Sequence, residues 1–176
     1  MHAATSIELV SGDWDQLGPD AARIRDAVFV REQGIPAELE WDEEDPRSIH
    51  VVAYRTVPVR EPVATARLLA GGWIGRVAVV KNARRGGLGH MLIRALVKVA
   101  HERGEPMARL YAQTYAMPFY ETCGFTAVGE PFEEAGIPHI EMIRTLSDGA
   151  SDSTSDGASE SLAPDAVPPQ TSLGNT

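Results

Sequence analysis

Residues 77–96 read VAVVKNARRGGLGHMLIRAL, and this stretch narrows the possible folds more than any other. Small and β-branched apolar residues through Val80 predict a strand. Beyond RRGGLG, Met91, Leu92, Ala95, Leu96, Val99 and Ala100 recur at helical spacing, with Gly104 as the stop. A strand, a glycine loop and a helix in that order make an anion cradle. The helix start exposes unsatisfied N–H groups and a positive dipole end, Gly86, Gly87 and Gly89 let backbone approach a ligand, and Arg84 and Arg85 add charge. A diphosphate suits such a cradle. Two other phosphate loops do not match: no Gly-Lys-Ser/Thr follows, and GLGHML lacks the third glycine of the dinucleotide fingerprint. A glycine-rich turn that merely joins a strand to a helix is the competing structural reading.

The rest of the chain supplies the partners of this unit. A strand is expected at Ser6 to Val10 and a helix from about Asp20 to Val30, with Ala22, Ala27, Val28 and Phe29 toward its apolar side. REQGIPAELEWDEEDPRS breaks regularity as an acidic loop with at most one helical turn. Extended runs at His50 to Arg55, Pro62 to Leu69 and Trp73 to Val80, separated by PVREP and AGG, predict an antiparallel meander. A strand at Ala108 to Gln113, a short helix at Ala116 to Thr122 and strands near Phe125 to Pro131 and His139 to Leu146 complete a β-α-β-β-β-α-β-α-β-β order. The expected class is α+β with one mixed sheet.

Residues 147–176 contain a repeated SDGAS, three prolines and few large apolar side chains, so they are expected to be a disordered acidic tail after a single domain spanning 1–146. Five of the acids fall in that tail and no Lys or Arg does, which leaves −4 of the −9 net charge on the domain. A mildly acidic domain without an aromatic-interleaved basic stripe does not suit a nucleic acid backbone. The single cysteine, Cys123, cannot form an internal disulfide, and MHAATSIELVSGDW lacks the features of a signal peptide. No window reaches the roughly 18 apolar residues of a membrane span. The expectation is a cytoplasmic protein without a membrane partner.

The V-x-V strand followed by R-x-x-G-x-G and an amphipathic helix resembles the acetyl-CoA-binding core of the GNAT superfamily. AMPFYETCGF, residues 116–125, resembles that family's second signature, FYxxxGF. VFVREQGIPAELEWDEED and EEAGIPHIEM are similar to the ElaA-type branch, so the resemblance runs from about Ile7 to Leu146. It implies a mixed, mostly antiparallel, twisted sheet of about seven strands flanked by helices. The strand of Val77 and Val79 would splay from the one at Leu110 to Ala112, with the pantetheine arm of acetyl-CoA between them. The pyrophosphate would sit on N–H groups of Arg84, Arg85, Gly86, Gly87, Leu88 and Gly89. Tyr120, the tyrosine of FYxxxGF, would protonate the leaving thiolate. The activity implied is N-acetylation of a primary amine by direct attack in a ternary complex, with a homodimer as a common assembly of the family. The alternatives are a GNAT fold that binds CoA without turnover and a nucleotide-binding regulator that uses the glycine-rich loop.

Thioester aminolysis needs a neutral amine, and an alkylamine has a pKa near 10.4, so a base or a water relay is required. The Glu that many relatives carry on the fourth strand is absent from Trp73-Ile74-Gly75-Arg76. Glu32, Glu43, Glu44, Asp45, His50, His139 and Glu141 are the substitutes. The carboxylates of EWDEED read as a solvated charge run that could also attract a cationic amine. His50 and His139 adjoin apolar strands and read as structural. The histidines show no metal-ligand spacing, so no metal is expected, and Cys123 lies at the unfavourable end of a helix dipole for a thiolate nucleophile.

Overall fold

In a computed structural model, which describes residues 6–146, seven strands form one sheet. They are β1 (Ile7–Gly12), β2 (Ile49–Arg55), β3 (Glu61–Leu69), β4 (Trp73–Val79), β5 (Met107–Gln113), β6 (Thr126–Glu134) and β7 (Ile137–Thr145). Their spatial order is β1-β2-β3-β4-β5-β7-β6, antiparallel at every step except β4 to β5. The class is the expected α+β mixed sheet. The predicted tail lies outside the described residues.

Helices cover the two faces unequally. Helix α1 (Trp14–Arg25) continues through Asp26–Glu32 in a wider winding, in which the Gln33 N–H bonds the Val28 carbonyl five residues back at 3.1 Å. Its Leu17, Ala21, Ile24, Val28 and Phe29 pack on Val52, Tyr54 and Ala78. Helix α2 (Ala37–Glu40) is a single turn. Helices α3 (Leu88–Glu102) and α4 (Met117–Thr122) cover the opposite face, where Leu92, Ile93, Leu96 and Phe119 meet Val51, Ala53, Ile74 and Leu110.

The helix expected from Asp20 starts instead at Trp14. Gly18-Pro19 suggests a later start, but Asp13 and Gln16 form a capping box that fixes the earlier one: the Asp13 carboxylate accepts from Gln16 N–H at 2.9 Å, and Gln16 Oε1 accepts from Asp13 N–H at 3.3 Å. Ala22 and Ala27 are half-buried, while Ala21 and Ile24 carry the contact.

Strand β4 breaks the two-residue alternation. Ile74 faces α3, and so do Val77 and Val79, whereas Ala78 faces α1. An extra residue enters at Arg76–Val77, where the pairing with β3 jumps from Gly75↔Arg67 to Ala78↔Thr65, and Arg76 takes φ 51°. This is a β-bulge, and it inverts the facing of every side chain after it.

Candidate active site

The sheet opens between β4 and β5. Among the described residues the two strands are registered at Trp73↔Arg109, where the Arg109 N–H donates to the Gly72 carbonyl at 2.9 Å. A Cβ on Gly72 would lie 2.2 Å from the Met107 carbonyl oxygen, so glycine is required at this closed end. Beyond it β4 turns into a 3₁₀ turn at Lys81–Ala83, while β5 stays beside β7. The Val80 N–H bonds the Val63 carbonyl on the β3 side at 2.9 Å. Backbone groups alternate along a strand, so those of Val77 and Val79 turn into the opening. These are the two valines the sequence singles out.

At the mouth of the opening, α3 begins after Gly87, which has φ 77° and no side-chain cap. The Met91 N–H reaches the Gly87 carbonyl at 3.2 Å, so the N–H groups of Leu88, Gly89 and His90 precede the first intrahelical bond. Arg85 also takes a left-handed φ of 68°, and nothing lies within 4 Å of where a Gly87 Cβ would be. A strongly curved backbone with successive exposed N–H groups and free space above it fits a phosphate oxygen.

Arg84 and Gly89 also make contacts within the protein. Arg84 donates to both carboxylate oxygens of Glu32, at 2.7 and 2.6 Å, and its Nε donates to the Val79 carbonyl at 3.0 Å. Its charge is balanced, and it ties the loop to β4 and to the end of the α1 extension. A Cβ on Gly89 would come within 2.9 Å of Phe119 Cζ, so the absence of a side chain here admits α4.

That contact seats Tyr120, one residue further along α4. Its ring is 1% exposed and meets Phe119 and Phe125 edge-on, at centroid distances of 5.0 and 6.2 Å. Burial, reinforced by Cys123 and Tyr115, raises its pKa well above the ordinary tyrosine value, so the phenol stays protonated. Burial pushes the Cys123 thiol up to about 11, which keeps it from acting as a thiolate at neutral pH.

The seven candidate bases separate by their partners. Glu32 is held by Arg84, Glu141 accepts from Arg109 at 2.7 Å, and His50 Nε2 donates to the Asp45 carbonyl at 2.9 Å. Glu43 is exposed and Glu44 half-buried. His139 is fully buried, with Nδ1 2.7 Å from the Ile137 carbonyl, while Nε2 has no hydrogen-bond partner among the described residues. A carbonyl only accepts, so Nδ1 carries the proton and Nε2 keeps a lone pair. His139 is paired with Gln113 across the β5–β7 ladder, and its neighbour Ile140 faces α3 and α4, so His139 faces away from Tyr120's side.

The EWDEED carboxylates are only in part a solvated run. Glu40 and Asp45 are buried, Asp42 is half-buried, and all three engage arginines. Arg25 of α1 bonds Glu40 and reaches Asp45 at 2.7 and 3.1 Å. Arg67 of β3 grips both oxygens of Asp42 at 2.6 Å and bonds Asp45 at 2.9 Å. Arg76 donates to the Glu40 carbonyl at 2.9 Å and to Asp42 at 3.0 Å. Burial would raise the Asp42 pKa, but hydrogen bonding and charge from Arg67, with Arg76 beside it, hold it below the usual value. Burial, with the repulsion of Arg67, brings Arg76 down to about 10, still cationic at neutral pH. Three cations balance these three carboxylates, which leaves Glu43, exposed, and Glu44, half-buried, as the segment's carboxylates at the surface.

Known proteins share this fold. Residues 16–146 match the family model described as an acetyltransferase (GNAT) domain. A Bacillus subtilis protein described as an uncharacterized N-acetyltransferase, YjcF, is 40% identical over 129 residues, which are 71% of this chain and 90% of that one. The crystal structure of Escherichia coli ElaA superposes with a TM-score of 0.70 at 30% identity, covering 79% of this chain and 99% of ElaA. An acyl-CoA N-acyltransferase from Pseudomonas aeruginosa gives 0.70 at 31%, covering 80% and 100%. With a family model matched over residues 16–146 and relatives at 30–40% identity over most of its length, the chain belongs to the GNAT acetyltransferases, in the branch that includes ElaA.

Proposed function

We propose that the protein transfers the acetyl group of acetyl-CoA to a primary amine by direct attack, in the cytoplasm. The observation that carries this reading is the β4–β5 opening, lined by backbone of Val77 and Val79, with helix-start N–H groups at its mouth and a phenol that stays neutral on α4. The loop from Arg84 to Gly89 holds the pyrophosphate through N–H groups, with Arg85 as an exposed positive charge. Arg84 serves the same site from behind, by fixing the loop and Val79. The bound thioester supplies an activated acyl carbon. Tyr120 gives its proton to the departing sulfur, and His139 Nε2 takes the proton that the amine loses as its nitrogen bonds to carbon. With the Cys123 pKa at about 11, no thiolate competes, in keeping with a path without an acyl-enzyme.

Thermal shift against acetyl-CoA, ATP and NAD tests the donor. Ligand at 100 times its Kd stabilises by about 2.7 kcal/mol, and only acetyl-CoA should do so. Gly87→Glu, which puts a carboxylate where the backbone meets a phosphate, should abolish that shift in a folded protein. Release of CoA over a panel of amines then tests transfer; stabilisation without release from any amine would favour a CoA-binding module.

A further inference from the structure

We infer that the buried arginine–carboxylate network sets the conformation of β4, with Asp42 and Arg76 as positioning residues that decide which backbone groups face the acyl carbonyl. This inference rests on the acetyl-CoA reading of the opening.

The bulge changes which residues face the β4–β5 opening. In a regular strand with Ile74 facing α3, Arg76 would follow it into the apolar core, and Val77 and Val79 would face α1. The left-handed turn at Arg76 reverses this. It sends the guanidinium to the α1 face and turns the backbone of Val77 and Val79 into the opening. A non-glycine residue at φ 51° is held there by its surroundings.

Those surroundings are the 40–45 segment. Arg76 is 1% exposed and bonds both the Glu40 carbonyl and the Asp42 carboxylate. Asp42 is fixed in turn by the two-pronged grip of Arg67, from the β3 strand against which the bulge forms. The Glu44 N–H also bonds Asp42 Oδ1, at 3.0 Å, which aims the carboxylate. Arg25 ties Glu40 and Asp45 to α1. A side chain this buried and this charged has no alternative seat on the α3 face, so for any residue with a Cβ at position 76 the bulge depends on the network, whereas glycine takes a positive φ unaided.

The test separates backbone conformation from ligand contact. Crystal structures of Arg76→Gly, Arg76→Val and Asp42→Asn, ligand-free, report φ at position 76. Glycine should keep the left-handed value, valine should become extended, and Asp42→Asn should lose the Arg76 contact and relax toward extended. Calorimetry then compares acetyl-CoA with S-ethyl-CoA, in which a methylene replaces the carbonyl. Wild type should bind acetyl-CoA about 2- to 10-fold more tightly, the worth of one net hydrogen bond. Arg76→Gly should keep that ratio, whereas Arg76→Val and Asp42→Asn should bring it to about one while S-ethyl-CoA affinity barely changes. A merely structural network would weaken both ligands equally, and that result overturns the inference. So does a bulge that persists in Arg76→Val and Asp42→Asn. If either variant fails to fold, Arg76→Lys supplies the missing arm: it keeps the charge but not the two-contact geometry, and should lower the ratio without unfolding the protein. If wild type binds neither ligand, the acetyl-CoA reading fails, while the crystal structures still decide what sets the bulge.

Discussion

Tyr120 packs as a core aromatic and is also the general acid proposed for the transfer. Its ring fills the space between Phe119 and Phe125, and the same burial keeps its hydroxyl from ionising. Tyr120→Phe keeps the ring and removes the donor, so turnover should fall about 10²- to 10⁴-fold with acetyl-CoA affinity and stability nearly unchanged, as steady-state rates and calorimetry will report. Because the phenol pKa is raised, wild-type rates should show no loss from Tyr120 ionisation up to at least about pH 9. His139→Gln should lower the transfer rate while acetyl-CoA affinity stays nearly unchanged, as steady-state rates and calorimetry will report. The motif FYETCGF makes Tyr120 legible in the sequence. Arg84 is legible only as a charge beside glycines, because its partner Glu32 lies 52 residues away and no local spacing reveals it.

Elements were legible where their signals are local, and misread where distant partners decide. Alternation and turn residues locate all seven strands, and the 3.6-residue period locates α3. The start of α1 was obscured by Gly18-Pro19, and the EWDEED run looked solvated because its arginines sit on α1, β3 and β4, 15 to 36 residues off. A trace of the bulge is nonetheless written in WIGRVAV, where apolar residues fall at 74, 77 and 79 rather than at alternate positions. The link between the α1 extension and the phosphate loop gives an element-level expectation. Glu32→Gln frees the Arg84 charge while leaving its bond to Val79. Acetyl-CoA affinity should then rise several-fold at low ionic strength, and the gain should shrink with added salt. Melting temperature should change little, since the partly exposed pair contributes about 0–1 kcal/mol.

The molecule as a whole should lose stability toward acid in two steps. Burial holds His50 below the usual pKa of 6.5, so its contribution is present above about pH 6.5 and is lost as pH falls through the lower folded value. Asp42 is also depressed, by its arginines, so its contribution is present above about pH 4 and is lost on further acidification through the folded value. Thermal melts of wild type and Asp42→Asn across pH should differ most near neutrality and converge at the acid end. Finally, the tie between β4 and the 40–45 segment constrains how this family can diverge. A lineage that replaces Arg76 alone strands buried carboxylates, and one that replaces Asp42 alone strands a buried cation; breaking a buried pair in this way costs about 3–5 kcal/mol. Positions 42 and 76 should therefore be inherited as a pair, kept together or exchanged together, and a census of ElaA-branch sequences should find few members carrying one without the other.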